Sequence, residues 1–280
     1  MSAPLNVAVI GLGMIGGSVA RGLAARGVEI LGYDTNNAYL DAAVAEGVVG
    51  RRISESFDEL ATVDAVVLAV YGSSAAKILE QLERHAESIT LVTDVGSTKR
   101  GIVSAAEQSR IGKSFVGSHP FAGDHRSGWF ASRFDLFENE IVYLCPTTVS
   151  TPASYAQAQA LWTMLGAKPM KMDAVEHDEL LAWTSHLPHI VSCALGLALA
   201  EVGIPRRQLG RGGRDVARLA AGSPEVWSSI AMDNSEAIVA ALSGIERQIS
   251  SFRELVASGD RDNVRAKLSK ARDWSGPAEH

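Results

Sequence analysis

The chain has 280 residues, of which 46% are hydrophobic and 21% charged, and its formal charge is −6. That length accommodates two domains, or one large core with an appended module. An acidic balance argues against a nucleic-acid binder, whose domains usually carry a net basic face. Cys145 and Cys193 sit inside apolar runs without metal or redox spacing, which favours buried, reduced thiols. No basic segment followed by an apolar run and a cleavage site opens the sequence. The most apolar helical stretch, Ile190 to Ala200, is far shorter than the roughly 20 residues that span a bilayer. The expectation is a soluble cytosolic protein with no membrane or nucleic-acid partner and no metal.

Asn6 to Ile10 reads as a buried strand, followed at once by a glycine cluster and a helical run from Met14 to Arg26. Further strands are predicted at Glu29 to Tyr33, Ala65 to Val70, Thr90 to Val95, Ser114 to Gly117 and Ile141 to Cys145. Ala153 to Gly166 is helical, and Lys168 to Met172 is a final strand. Strands alternating with helices imply a parallel sheet covered on both faces. After about residue 173 the strand pattern stops. Long helices are predicted over Val175 to Val202, with an irregularity at Pro188, and over Glu225 to Ala257, with a last one over Arg261 to Trp274. The division is therefore an α/β domain over 1–172 and an all-helical domain over 173–280. Ile190 to Ala200 is apolar on nearly every face, so a partner subunit is needed to enclose it, which predicts a homodimer through the helical domain.

Gly11-Leu12-Gly13-Met14-Ile15-Gly16 follows a strand and opens a helix, the context a dinucleotide fingerprint requires. The glycines permit a tight turn, and the free N–H groups of the helix N-terminus then face a pyrophosphate. Asp34 lies 18 residues after Gly16, at the end of the second strand, where a carboxylate bonds ribose hydroxyls. It would repel a 2′-phosphate, and no Arg follows among Thr35, Asn36 and Asn37, so NAD is favoured over NADP. Val70, Asp94 and Gly96, at the ends of later strands, complete the predicted cofactor contacts of this Rossmann-type half.

Two further segments sit where ligands collect in such a sheet. They are Asp94-Val95-Gly96-Ser97-Thr98-Lys99 and Gly117-Ser118-His119-Pro120-Phe121-Ala122-Gly123. The helical half adds Glu176-His177-Asp178, Thr184-Ser185-His186-Leu187-Pro188-His189, Arg214-Asp215-Val216-Ala217-Arg218 and Trp227. In order and spacing these segments resemble the prephenate and arogenate dehydrogenases of tyrosine biosynthesis.

The resemblance implies oxidative decarboxylation of a 1-carboxy-4-hydroxycyclohexadiene. His119 matches the catalytic histidine, and a neutral imidazole accepts a hydroxyl proton near pH 7. Ser97 matches the serine that holds the hydroxyl near the nicotinamide, and Arg218 the arginine that grips the ring carboxylate. His177 and His189 match histidines at the pocket mouth, Trp227 an aromatic wall, and Ser118 a further substrate contact.

Two departures stand out. Asp124-His125-Arg126 replaces the Thr-Glu-Lys common after the second motif. Asp124 would attract an ammonium group, and His125 or Arg126 a side-chain carboxylate. Gly213 replaces an aromatic before Arg214-Asp215. Alternatives are a 4-amino-4-deoxyprephenate dehydrogenase, a β-hydroxyacid dehydrogenase and a non-catalytic NAD sensor. Val175 to Val202 lacks the lysine a β-hydroxyacid dehydrogenase would carry, and the catalytic set argues against a sensor.

Overall fold

The computed structural model describes residues 6–70, 72–123 and 126–276. The first half is built on β1 (Asn6–Ile10), α1 (Met14–Ala24), β2 (Glu29–Tyr33), α2 (Asn37–Ala45), β3 (Arg51–Arg52), β4 (Ala65–Leu68), α3 (Gly72–Leu82), β5 (Leu91–Asp94) and α4 (Arg100–Glu107). Five parallel strands lie in the order β3-β2-β1-β4-β5. The chain leaves β1 for β2 on one side and later returns to β4 on the other. The carboxyl ends of β1 and β4 therefore flank the switch point where such sheets bind ligands.

β1 explains why both faces are covered. Val7 and Val9 join one core cluster, with Leu23, Phe137 and Trp162, while Ala8 and Ile10 join the other, with Leu79 and Ile102. A strand buried on both sides needs an unbroken apolar run, which is what Asn6 to Ile10 supplies.

The sheet does not continue in parallel. β6 (Val116–Pro120) pairs antiparallel with β7 (Ile141–Pro146), which pairs parallel with β8 (Lys168–Lys171). α5 (Pro152–Met164) links the last two, capped by Thr151 with Pro152 in its first turn. β6 sits beside β5 through the amide of Val92, which donates to the carbonyl of Ser114 at 2.9 Å. The long loop after β6 lets the chain reverse, which strand-helix alternation in the sequence did not indicate.

Asp173 caps the helical half, accepting from the amides of Val175 and Glu176. α6 (Ala174–Leu181) passes through a π turn over Ala182–His186 into α7 (Leu187–Glu201). The expected irregularity is thus placed just before Pro188. That residue has no N–H for the carbonyl four residues earlier, and the helix widens there. The continuous helix Ala174–Glu201 has 28 residues, enough by length and composition to cross a bilayer, which the shorter apolar stretch alone did not suggest. Its buried His177, Asp178, His186 and His189 are instead engaged inside the protein.

α8 (Arg211–Val216) leads through a short helical turn over Ala217–Ala221 to α9 (Pro224–Asp233), α10 (Ser235–Ala257) and α11 (Arg261–Ser275). The helix predicted over Glu225 to Ala257 is therefore two, broken at buried Asn234.

The core of the helical half is small: Ala182, Leu187, Ile238 and Ala241 are its buried members. Large apolar side chains stay exposed, among them Leu197 at 68%, Val202 at 70% and Met232 at 71%.

Candidate active site

The glycine loop after β1 is shaped by the protein at two positions and by open space at the third. Gly11 has φ +95°, and a Cβ there would lie 2.2 Å from the carbonyl oxygen of Ala69. A Cβ on Gly16 would lie 1.9 Å from the carbonyl oxygen of Gly11. A Cβ on Gly13 would meet nothing within 4 Å, so the room it leaves faces outward at the first turn of α1. Those residues fit a dinucleotide: the loop is tight where it meets the sheet and vacant where phosphates approach a helix N-terminus. Met14 and Ile15 are half-buried in the first turn of α1, and the half-buried Val70 abuts Gly11.

Asp34 binds the loop to the end of β2. Its carboxylate accepts from the amide of Leu12 at 2.6 Å and of Asn36 at 2.7 Å. A carboxylate has about four lone-pair positions, so capacity for ribose hydroxyls remains. Beyond it lies a cavity of about 510 Å³ lined by Tyr33, Asp34, Thr35, Asn37, Arg52 and Glu59 among others. Arg52 is a cation that a search over residues 35–37 missed, brought in by the pairing of β3 with β2. Its guanidinium is tied to Asp41 at 2.7 Å.

His119 stands near the carboxyl end of β6, only 8% exposed. Its Nδ1 lies 2.9 Å from Nε2 of His177, whose Nδ1 lies 2.8 Å from Oδ1 of Asp178. The Asp178 carboxylate also accepts from the amides of Lys99 and Arg100, at 2.8 and 2.9 Å. Asn234 donates to the Asp178 carbonyl at 2.7 Å and sits 3.2 Å from Nδ1 of His186. His186 meets the Trp227 ring edge-on, and Trp227 stacks on His189 with centroids 3.5 Å apart. A contiguous chain of polar and ring contacts thus runs from the sheet into the helical half.

Several expected positions differ in detail. His177 is fully buried behind His119 and does not line the mouth of a pocket. The Ser118 hydroxyl is buried between Thr93, at 2.6 Å, and the Trp162 indole N–H, at 2.9 Å, so it is engaged inside the protein. Asp94 also turns inward, pairing with buried Lys99 and accepting from the amides of Gly96 and Ser118. The buried Lys99 ammonium and two amides hold its carboxylate.

Ser97 is half-buried, with no side-chain hydrogen bond among the described residues, and adjoins Gly96 in the β5–α4 loop. Arg218 is exposed and has no ion-pair partner among them. Glu225, a conceivable partner, instead accepts from Ser223 at the start of α9. Asp124 and His125 lie outside the described residues.

Cys145 is buried and Cys193 half-buried, and both are free thiols. Burial pushes the Cys145 thiol up to about 12, which makes it an inert core group. Among the described residues no group of three or more His, Cys, Asp or Glu side chains could hold a metal ion.

The electrostatics favour neutral imidazoles. Burial, then the neighbouring His177, Lys99 and His186, push His119 well below its ordinary value. Burial pushes His186 down to about 4 against the pull of Asp178. Burial alone would raise the Asp178 carboxyl, but hydrogen bonds from His177 and the Arg100 and Lys99 amides outweigh it and hold the group low.

Residues 19–171 match the profile of the prephenate dehydrogenase nucleotide-binding domain, and residues 173–270 that of its dimerization domain. The chain belongs to the prephenate dehydrogenase family. It is 31% identical to prephenate dehydrogenase of Bacillus subtilis, over 96% of this chain and 75% of that one. Among solved structures it resembles prephenate dehydrogenase from Aquifex aeolicus, described in complex with hydroxyphenyl propionate and NAD+, with TM-score 0.88 and 28% identity over 98% of each chain. Arogenate dehydrogenase of Synechocystis superposes with TM-score 0.81 and 27% identity, over 96% of this chain and 98% of that one.

For a member of this family the glycine loop offers a clean division. Gly11→Ala should cost on the order of 3 kcal/mol of stability, through backbone strain and the Ala69 clash. Gly13→Ala should leave thermal stability near wild type and weaken only nucleotide binding; comparing Tm with nucleotide Kd for both variants checks this. His186 gives a pH signature. Its folded value lies below the unfolded one of about 6.5, so its stabilising contribution is complete above pH 6.5 and shrinks as pH falls toward 4, by up to about 3 kcal/mol. Denaturant unfolding across that window should show the loss, and His186→Asn should reduce it, leaving the part due to the likewise depressed His119.

Proposed function

We propose that this chain oxidises a cyclohexadienyl acid, prephenate or arogenate, with NAD, releasing carbon dioxide as the ring becomes aromatic. The observation that carries this reading is a buried histidine, His119, with its value pushed down by burial, on β6 next to β5, whose following loop carries the half-buried Ser97. When bound, the nicotinamide supplies the hydride acceptor. Nε2 of His119 takes the C4 hydroxyl proton, Ser97 orients that hydroxyl, and exposed Arg218 receives the ring carboxylate. Loss of hydride and proton turns the carbinol into a carbonyl. The C1 carboxylate then leaves as carbon dioxide, and its bonding pair aromatises the ring.

His189 and Trp227, stacked together, form the wall of the substrate cleft in this reading. Gly11, Gly13, Met14, Ile15, Gly16, Asp34, Val70 and Gly96 form the cofactor side, while Asp94 and Ser118 act as scaffold. NAD is preferred over NADP because Asp34, Glu55 and Glu59 line the cavity and Arg52 is already paired with Asp41. The division into a nucleotide domain over 1–172 and a helical domain over 173–280 follows the capping Asp173 and the two profile matches. The exposed apolar side chains of α7, α9 and α10 are read as a homodimer face, supported by the dimerization-domain match. Two free thiols suit a reducing compartment, the cytosol.

Mixing the protein with NAD and either prephenate or arogenate, and following the absorbance of NADH, tests the reaction. NADH is expected from at least one acid, and silence with both overturns the reading. His119→Ala should lower turnover by about 100- to 10,000-fold with nucleotide Kd unchanged, whereas Arg218→Ala should chiefly raise KM. Because His119 must be unprotonated to act and its value is depressed, activity should persist at pH 6.5 and fall only in more acidic solution. Leu197→Glu should convert a dimer into monomers, as light scattering after gel filtration would show.

A further inference from the structure

The tautomer of His119 is decided two residues away from it. Asp178 is ionised and therefore only accepts hydrogen bonds. At 2.8 Å, Nδ1 of His177 must donate to it, because a bare ring nitrogen facing a carboxylate would be repelled. In the neutral ring the other nitrogen is bare, so Nε2 of His177 accepts from Nδ1 of His119, 2.9 Å away. That leaves Nε2 of His119 with its lone pair free. One carboxylate thus sets the protonation of two rings in series.

The same carboxylate joins the two halves of the molecule. α4 begins without a side-chain cap of its own, since Lys99 at its N-cap supplies none. The missing acceptor comes from α6: Asp178 takes the amides of Lys99 and Arg100. Those amides directly follow the loop that carries Ser97.

We propose that His177 and Asp178 are positioning residues that fix His119 as the Nδ1–H tautomer and share its proton, and that Asp178 also latches the helical half onto α4. The base is then competent only while this seam is closed. The inference rests on the reaction assigned above. In that reaction the C4 hydroxyl proton passes to Nε2 of His119 as hydride leaves C4 for NAD. The proton on Nδ1 of His119 shifts toward Nε2 of His177, whose own Nδ1 proton stays on its bond to Asp178. One proton and one hydride leave the substrate, the hydride carrying both electrons, and the positive charge gained by the His119–His177 pair is held against the Asp178 carboxylate. Lys99, His186 and Tyr143 also surround these rings. None of them touches the His119–His177 bond as an acceptor, so only Asp178 fixes its polarity.

The test combines tautomer and turnover. Protein labelled with ¹⁵N in histidine is examined without substrate, and His119 is assigned by difference against His119→Asn. Wild type should show protonated Nδ1 and bare Nε2. Asp178→Asn has one oxygen for three donors, so it should mix the His119 tautomers, speed hydrogen exchange at the Lys99 and Arg100 amides and lower kcat by about 100-fold or more. NAD Kd and KM should stay within about 3-fold of wild type. His177→Gln can accept through its amide oxygen but cannot pass a proton on. It should keep the Nδ1–H tautomer and still lose about 10- to 100-fold in kcat. An unchanged His119 tautomer in Asp178→Asn, or wild-type kcat in either variant, overturns the proposal. Absence of NADH from wild type with both dienyl acids would sink the reaction assignment alone, because the tautomer is measured without substrate.

Discussion

The Asp178 carboxylate is the interaction on which the rest of the site depends. It is fully buried and holds three donors, one from its own helix and two from the start of α4. An isolated buried carboxylate would be several kcal/mol unfavourable, and it is tolerable only because each oxygen is occupied. The consequence is geometric. α6 cannot slide along α4 without stripping those amides, so His177 is held at a fixed distance from His119 on β6. The position of His119 on the sheet is in this sense tied to a side chain of the helical half.

Around that anchor the structure separates charge from neutrality. Lys99 and Asp94 are both buried, and each compensates the other beneath the β5–β6 seam. Burial disfavours the cationic forms of His119 and His186 above them. In a low-dielectric interior a transient proton on His119 needs a nearby anion, and Asp178 stands one ring away. In the proposed reaction this arrangement keeps His119 unprotonated at rest and supplies a counter-charge when it accepts a proton. Asn234 extends the order outward, bonding the Asp178 carbonyl and the His186 ring.

How much of this was legible in the sequence follows from where the physical signal lies. β1 and β2 have the predicted bounds because a doubly covered strand needs an uninterrupted apolar run. The glycine loop was legible for the same kind of local reason: Gly11 needs a positive φ that few other residues adopt. The antiparallel β6–β7 pair was not, since strand direction depends on a loop whose path carries no periodic signal. Asn234 was hidden inside an apparently continuous helix, although Asp233-Asn234-Ser235 is a cluster of cap-favouring residues that could have marked the break. Ser118 and His177 were recognisable as members of motifs, but their depth was not. Burial is decided by Thr93, Trp162 and Asp178, which come from elsewhere in the chain.

The helix from Ala174 to Glu201 carries the buried histidines at one end and exposed apolar surface at the other. Its first turns carry His177 and Asp178 into the seam, its π turn places His186, and the next turns bring His189 against Trp227. Beyond Ser192 the same helix has no fully buried side chain, and Leu197 stands exposed. A helix that projects so much apolar surface has only a weak local reason to hold its direction, because the core beneath it is confined to a few residues. Covering α7 with a second copy would bury that surface and stiffen the whole rod, including the end that holds the relay. Polar groups at one end then fix the position of His119, and apolar burial at the other would fix the helix that carries them. The π turn between them is the point where the two requirements meet, since Pro188 interrupts the backbone ladder just where His186 must point inward.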